Sequence, residues 1–212
     1  FLPVVVYHYQ VFSKDILSAF LCATAVLFLA KRQYVSAVLV FALATMLRPY
    51  SVAIIFAMYY FISDNARFLI YGAICSLIIV TVFVGVSGIV NSVLVLLYMP
   101  ISPNFFSLDI ERKDYIPLYV ESFIFFIGIL LFLVSVCYSR LARAFSYQSF
   151  AALFVYSCVM TVLGKYSAEH YDMTYEVGTM GNNALRKKIP ILQIYISMVF
   201  VGLSFFKYKK KI

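Results

Sequence analysis

The stretch FLIYGAICSLIIVTVFVGVSGIVNSVLVLLYMPISPNFFSL, residues 68–108, runs from Arg67 to Asp109 without a formal charge. Its 41 residues are about twice what a helix needs to cross roughly 30 Å of hydrocarbon. A second uncharged run of 21 residues lies between Arg143 and Lys165. Both are continuous in Leu, Ile, Val and Phe, without the alternation that a membrane β-barrel strand shows. The whole chain agrees: 64% of its 212 residues are hydrophobic and 12% are charged. An ordinary soluble domain has roughly 45–50% and about 25%. The sequence therefore predicts an all-α, polytopic helical membrane protein.

Between the charges lie eight apolar segments, at 1–12, 16–30, 34–47, 50–62, 68–90, 122–138, 147–164 and 189–206. They predict about seven to eight spanning or half-spanning helices in a single transmembrane domain over 1–212. The chain opens on Phe1 within an apolar run and shows no secretory signal, so it reads as the C-terminal part of a longer multi-span protein. The cysteines, Cys22, Cys75, Cys137 and Cys158, sit in apolar runs without metal-ligand or redox spacing and read as packing thiols. No metal and no cofactor is expected. The net charge of +8 is dispersed between segments, which argues against a nucleic-acid partner.

Orientation follows from the same charges. If the segments flanking Arg48 go up and come back, one side collects nine basic residues, including the KYKKK tail, with only Asp64. The other side collects eight basic and eight acidic residues. The positive-inside rule places the first side, and the C-terminus, in the cytoplasm. Cytoplasmic connections are then short (KRQ, SDNAR, SRLARAFS), and two long extracytoplasmic loops, 91–117 and 165–188, hold nearly all the acids. The first half of 91–117 reads as an interfacial helix or re-entrant piece. Function is expected in these outer loops, where polar groups can gather beside the bilayer.

Arg48 is the sharpest signal, since 15 uncharged residues flank it on each side. An arginine at that depth costs about 2.5–3.5 kcal/mol on the insertion scale unless it pairs or faces water. Pro49 disfavours an unbroken helix there, which sets Arg48 at the apex of two short limbs. It is a candidate for gripping an anionic head group; the alternative is a snorkelling anchor. Lys14 and Asp15 stand at the outer end of the segment 16–30, where Asp15 could also cap the helix. In the loop KYSAEHYDMTYEVGTMGNNALRKK (165–188), Glu169, His170 and Asp172 combine a titratable base with carboxylates. Such a base suits proton removal from a sugar hydroxyl; the alternative is a solvated loop histidine. Arg186, Lys187 and Lys188 break the local charge asymmetry at the outer end of the last segment, and a lipid phosphate or pyrophosphate would account for three cations there.

Three places resemble the bacterial oligosaccharide repeat-unit polymerases (Wzy type) that make O-antigen and capsule. They are FLPVVVYHYQVFSKD at the start, MLRPY around Arg48-Pro49, and GNNALRKKIP, with Asn182 or Asn183 and Arg186 before Pro190. The resemblance implies a membrane glycosyltransferase acting on the outer face of the bacterial cytoplasmic (inner) membrane. It would transfer a glycan from undecaprenyl pyrophosphate to the next lipid-linked repeat unit, beside a flippase and a chain-length regulator as partners. Arg48, Arg186 and Lys14 would hold the pyrophosphate, with Lys187 and Lys188 in support. His170 would be the base, with Glu169 or Asp172 as second choice, while Asp15, Asn182 and Asn183 orient the substrate. The alternatives are a lipid-phosphosugar-dependent membrane glycosyltransferase and, outside enzymes, a transporter or flippase of lipid-linked sugars.

Overall fold

A computed structural model of the chain describes residues 14–48, 51, 54–55, 59, 66–102, 116–170, 174, 188 and 191–209. Among them the secondary structure is all-helical, in seven helices: α1 (Lys14–Ala30), α2 (Tyr34–Leu47), α3 (Ala66–Val84), α4 (Val86–Tyr98), α5 (Ile116–Tyr138), α6 (Arg140–His170) and α7 (Leu192–Lys209). Two of these, α5 with 23 residues and α6 with 31, are long and apolar enough to cross a membrane by length and composition. The others are shorter apolar helices. The expected segment 1–12 lies outside the described residues. Of 50–62 only positions 51, 54, 55 and 59 are described, all helical.

α1 and α2 pack on each other as a hairpin, α3 and α4 pack on α6, and α5 packs on α7. A single apolar cluster runs from Cys22 and Ala44 through Val95, Phe125 and Tyr156 to Met198. Beside that apolar core, many small polar residues are buried and many large apolar ones are exposed. Ser18, Ser51, Asn91, Ser92, Ser122, Ser135, Ser149 and Thr161 are buried, while Phe20, Val35, Met46, Val82, Leu97, Leu141 and Phe200 are exposed. On α4 the buried positions Gly88, Asn91, Ser92 and Val95 follow i, i+3, i+4, i+7, and the opposite face is apolar. Small and hydroxyl residues at helix contacts let backbones approach and supply hydrogen bonds, as lipid-facing bundles require. Ser92 Oγ donates to Gly88 O on its own helix and lies 3.1 Å from Thr161 Oγ1 of α6. The surface is therefore compatible with a helical membrane protein.

Three expected boundaries are corrected. The segment 68–90 is not one helix, because it breaks at Gly85 into α3 and α4. Gly85 adopts φ 89° and ψ −174°, a region that side-chain-bearing residues avoid. No atom within 4 Å would obstruct a Cβ there, so Gly85→Ala should destabilise through backbone strain alone, by about 1–3 kcal/mol. A fall in the thermal unfolding midpoint would show it, and an unchanged midpoint would mean that the break does not need glycine. Second, SRLARAFS is not a loop: only Ser139 separates α5 from α6. Arg143 closes that corner by donating from Nε to Val136 O (3.4 Å) and from Nη2 to Cys137 O (3.3 Å), the last carbonyls of α5. The fold-back brings Phe132 within 6.0 Å of Phe145 and 6.4 Å of Phe150, ring centre to ring centre. Third, Lys165 to His170 belong to α6 rather than to an outer loop.

The α5–α7 contact depends on a close approach of backbones. A Cβ added to Gly202 would meet Phe132 N at 2.8 Å and Phe132 Cα at 3.0 Å, and backbone cannot yield as a side chain can. Gly202→Ala should cost about 1–3 kcal/mol by overpacking, read as a lower unfolding midpoint in detergent.

Candidate functional site

The Arg48 turn is built from residue types the local sequence requires. α2 ends at Leu47, and Arg48 is extended (φ −149°, ψ 116°), the conformation imposed on a residue before proline. Its N–H still donates to Ala44 O at 3.0 Å. The chain then turns, and Ser51 N–H donates back to Arg48 O at 3.0 Å. The Ser51 hydroxyl donates to Ala44 O at 2.9 Å and meets the Ser18 hydroxyl of α1 at 2.5 Å, while Cys22 Sγ lies 3.7 Å from Ser51 O. Ser18, Cys22 and Ser51 have no exposed surface. This knot joins the start of α1 to the end of α2, so Lys14 and Asp15, the first residues of α1, belong to the same end of the hairpin as Arg48. Arg48 itself is half-buried.

At the end of α6, Lys165 donates from Nζ to Phe83 O at 2.9 Å and pairs with Glu169 Oε1 at 3.5 Å. Phe83 is in the last turn of α3, where the break at Gly85 leaves carbonyls without the next helical turn. A cation there satisfies both the hydrogen bond and the helix dipole. Glu169 and His170 are exposed neighbours on the final turn of α6. Adjacent helix positions diverge by about 100°, so the two side chains do not converge on one point. Glu169 faces Lys165 instead. Asp172, Asn182, Asn183, Arg186 and Lys187 lie outside the described residues.

Lys188 occupies a different place from the surface cation expected. Its side chain is 1% exposed and its ammonium lies 3.3 Å from Glu121 Oε1, itself 3% exposed on α5. Nζ also donates to Ser102 O at 3.3 Å and sits 4.7 Å from the centre of the Phe125 ring. Ser122 Oγ donates to the same carbonyl at 2.6 Å. Burial pulls the Lys188 ammonium below the usual lysine range, while the Glu121 charge and its hydrogen bond push it back up. The ammonium is thus held within the protein, joining Lys188 to α5 and to the turn after α4. An open apolar groove runs between Ile124 and Phe125 on α5 and Ile196, Val199 and Phe200 on α7, with Glu121 at its wall. Glu121 was missed as a site residue because the apolar segment was drawn from Ser122, one position later. The helix starts at Ile116, which carries the carboxylate inside.

Among the described residues, no group of three His, Cys, Asp or Glu could hold a metal ion. The fold and these sites define a helical bundle compatible with a membrane protein, with a half-buried arginine at one helix turn and a buried ion pair between Lys188 and α5. No protein-family model, curated protein or solved structure matches the chain.

Proposed function

We propose that this chain is the membrane-embedded part of a glycosyltransferase that polymerises polyprenyl-pyrophosphate-linked repeat units into surface polysaccharide on the outer face of the bacterial cytoplasmic membrane. The observation that carries the reading is the Arg48 turn, a half-buried arginine whose backbone is tied to a buried serine knot at the end of two apolar helices, the same end at which α1 begins. A lipid pyrophosphate is the anion that such a position meets when its hydrocarbon tail lies in the bilayer. The acceptor hydroxyl attacks the anomeric carbon and the bond to the pyrophosphate oxygen breaks. The electron pair leaves with the pyrophosphate, and the hydroxyl proton passes to a base. Arg48, with Lys14, Arg186 and Lys187, stabilises the charge on the leaving group. His170, exposed at the end of α6, is the candidate base, and a single displacement inverts the anomeric centre. Lys188 serves the bundle through Glu121 rather than the phosphate.

The test is the length of glycan ladders on gels from a strain deleted for the gene, with and without the gene restored. Restored long chains support the reading, and ladders unchanged by deletion overturn it. Within that assay, His170→Ala should shorten chains at equal protein abundance, whereas unchanged chains would pass the base to another residue. Orientation has its own test in a variant lacking the exposed Cys75 and Cys137. Ser167→Cys should react with an impermeant thiol reagent from outside and Lys210→Cys should not; reversed labelling would move the site to the cytoplasm.

A further inference from the structure

We infer that Ser51, backed by Ser18, is a positioning residue for Arg48 in binding an anionic diphosphate. The inference rests on the reading of Arg48 as the pyrophosphate cation. Arg48 and Ser51 are separated in sequence by Pro49 and Tyr50, and the Ser51 N–H bonds to Arg48 O, so the Arg48 backbone is tied to Ser51. Ser51 is held at four points. Its N–H closes the turn on Arg48 O, its hydroxyl takes Ala44 O one turn back in α2, the Ser18 hydroxyl reaches it from α1, and Cys22 Sγ lies against its carbonyl. Ala44 O therefore receives both the Arg48 N–H and the Ser51 hydroxyl, which locks the arginine backbone between two bonds to one acceptor.

An arginine fork binds phosphate well only when its plane is presented in a set direction, because two parallel N–H···O bonds are lost together on a small rotation. A lone buried serine in an apolar hairpin would need no such convergence. Ser18 and Cys22 lie four residues apart on one face of α1 and both reach Ser51, so α1 contributes a matched pair of contacts to this single residue.

The experiment measures binding of inorganic pyrophosphate to the full chain purified in nanodiscs of neutral phosphatidylcholine. Ser51→Ala should weaken binding about tenfold while Ser51→Thr, which keeps a hydroxyl, stays near the native value. On an Arg48→Lys background, where the fork is already gone, Ser51→Ala should cost little more. A general structural role would instead lower binding by the same factor in both backgrounds, and that additivity overturns the inference. If Ser51→Ala does not accumulate in the membrane, Ser18→Ala, which leaves the Ser51–Ala44 bond in place, is read on the same terms. Weakened binding by Arg48→Ala with native binding by Ser51→Ala overturns the positioning role alone. Native binding by Arg48→Ala overturns the reading of Arg48, and the inference with it.

Discussion

Replacing Glu121 by leucine is expected to lower the thermal unfolding midpoint by about 6–20 °C. The carboxylate and the Lys188 ammonium lie 3.3 Å apart at 3% and 1% exposure, so removing one leaves the other buried without its counter-charge. Breaking such a pair from one side costs about 3–5 kcal/mol, and in a chain of this size each 1 kcal/mol moves the midpoint by roughly 2–4 °C. Lys188→Met should cost a comparable amount from the other side. The double variant Glu121→Leu/Lys188→Met should recover most of the loss, since two apolar side chains fill the space without an ion to desolvate. The carbonyl of Ser102 keeps its bond from Ser122 in every variant. Melting of the purified chain in detergent, followed by intrinsic tyrosine fluorescence, gives the four midpoints of this cycle. Losses that simply add in the double variant would show that the two groups do not sustain each other.

The second large effect concerns activity. Arg48→Lys keeps the charge but loses the planar fork, and under the proposed reaction it should reduce the rate of chain extension by about a hundredfold or more. Membrane abundance should change little, because the knot at Ser51 is built from backbone, Ser18 and Ala44 rather than from the guanidinium. A loss in turnover larger than any rise in the KM for the lipid-linked donor would place the interaction in the transition state. Near-normal glycan ladders from Arg48→Lys would reduce Arg48 to an interfacial anchor.

How much could be read in advance varied with what marked each element. α2 starts and stops where expected, because Lys31 and Arg32 precede it and Arg48-Pro49 ends it. The division of the long uncharged run at Gly85 carried no such mark: a glycine in an apolar stretch is tolerated within helices as readily as it ends them, and only the φ of 89° separates the two cases. The sequence predicts a shorter α6, because Arg140, Arg143, Lys165 and Glu169 read as loop residues beside the apolar run. All four continue the helix, and Arg143 and Lys165 cap the carbonyl ends of α5 and α3. Arg48 was legible from its isolation, and the spacing of Ser18 and Cys22 on one face was available. Their common partner Ser51 depends on the hairpin closing, which no periodicity encodes. The Lys188–Glu121 pair was hidden for the same reason, and its lysine looked like one of three equivalent cations.

The ion pair also imposes an order on biogenesis. Glu121 is made 67 residues before Lys188, so at about 5–20 residues per second α5 waits roughly 3–13 s for its counter-charge. During that interval the buried carboxylate has no counter-charge to offset its desolvation. A nascent chain stopped before Lys188 should leave α5 poorly held and open to membrane proteases, while a chain extended through α7 should be protected.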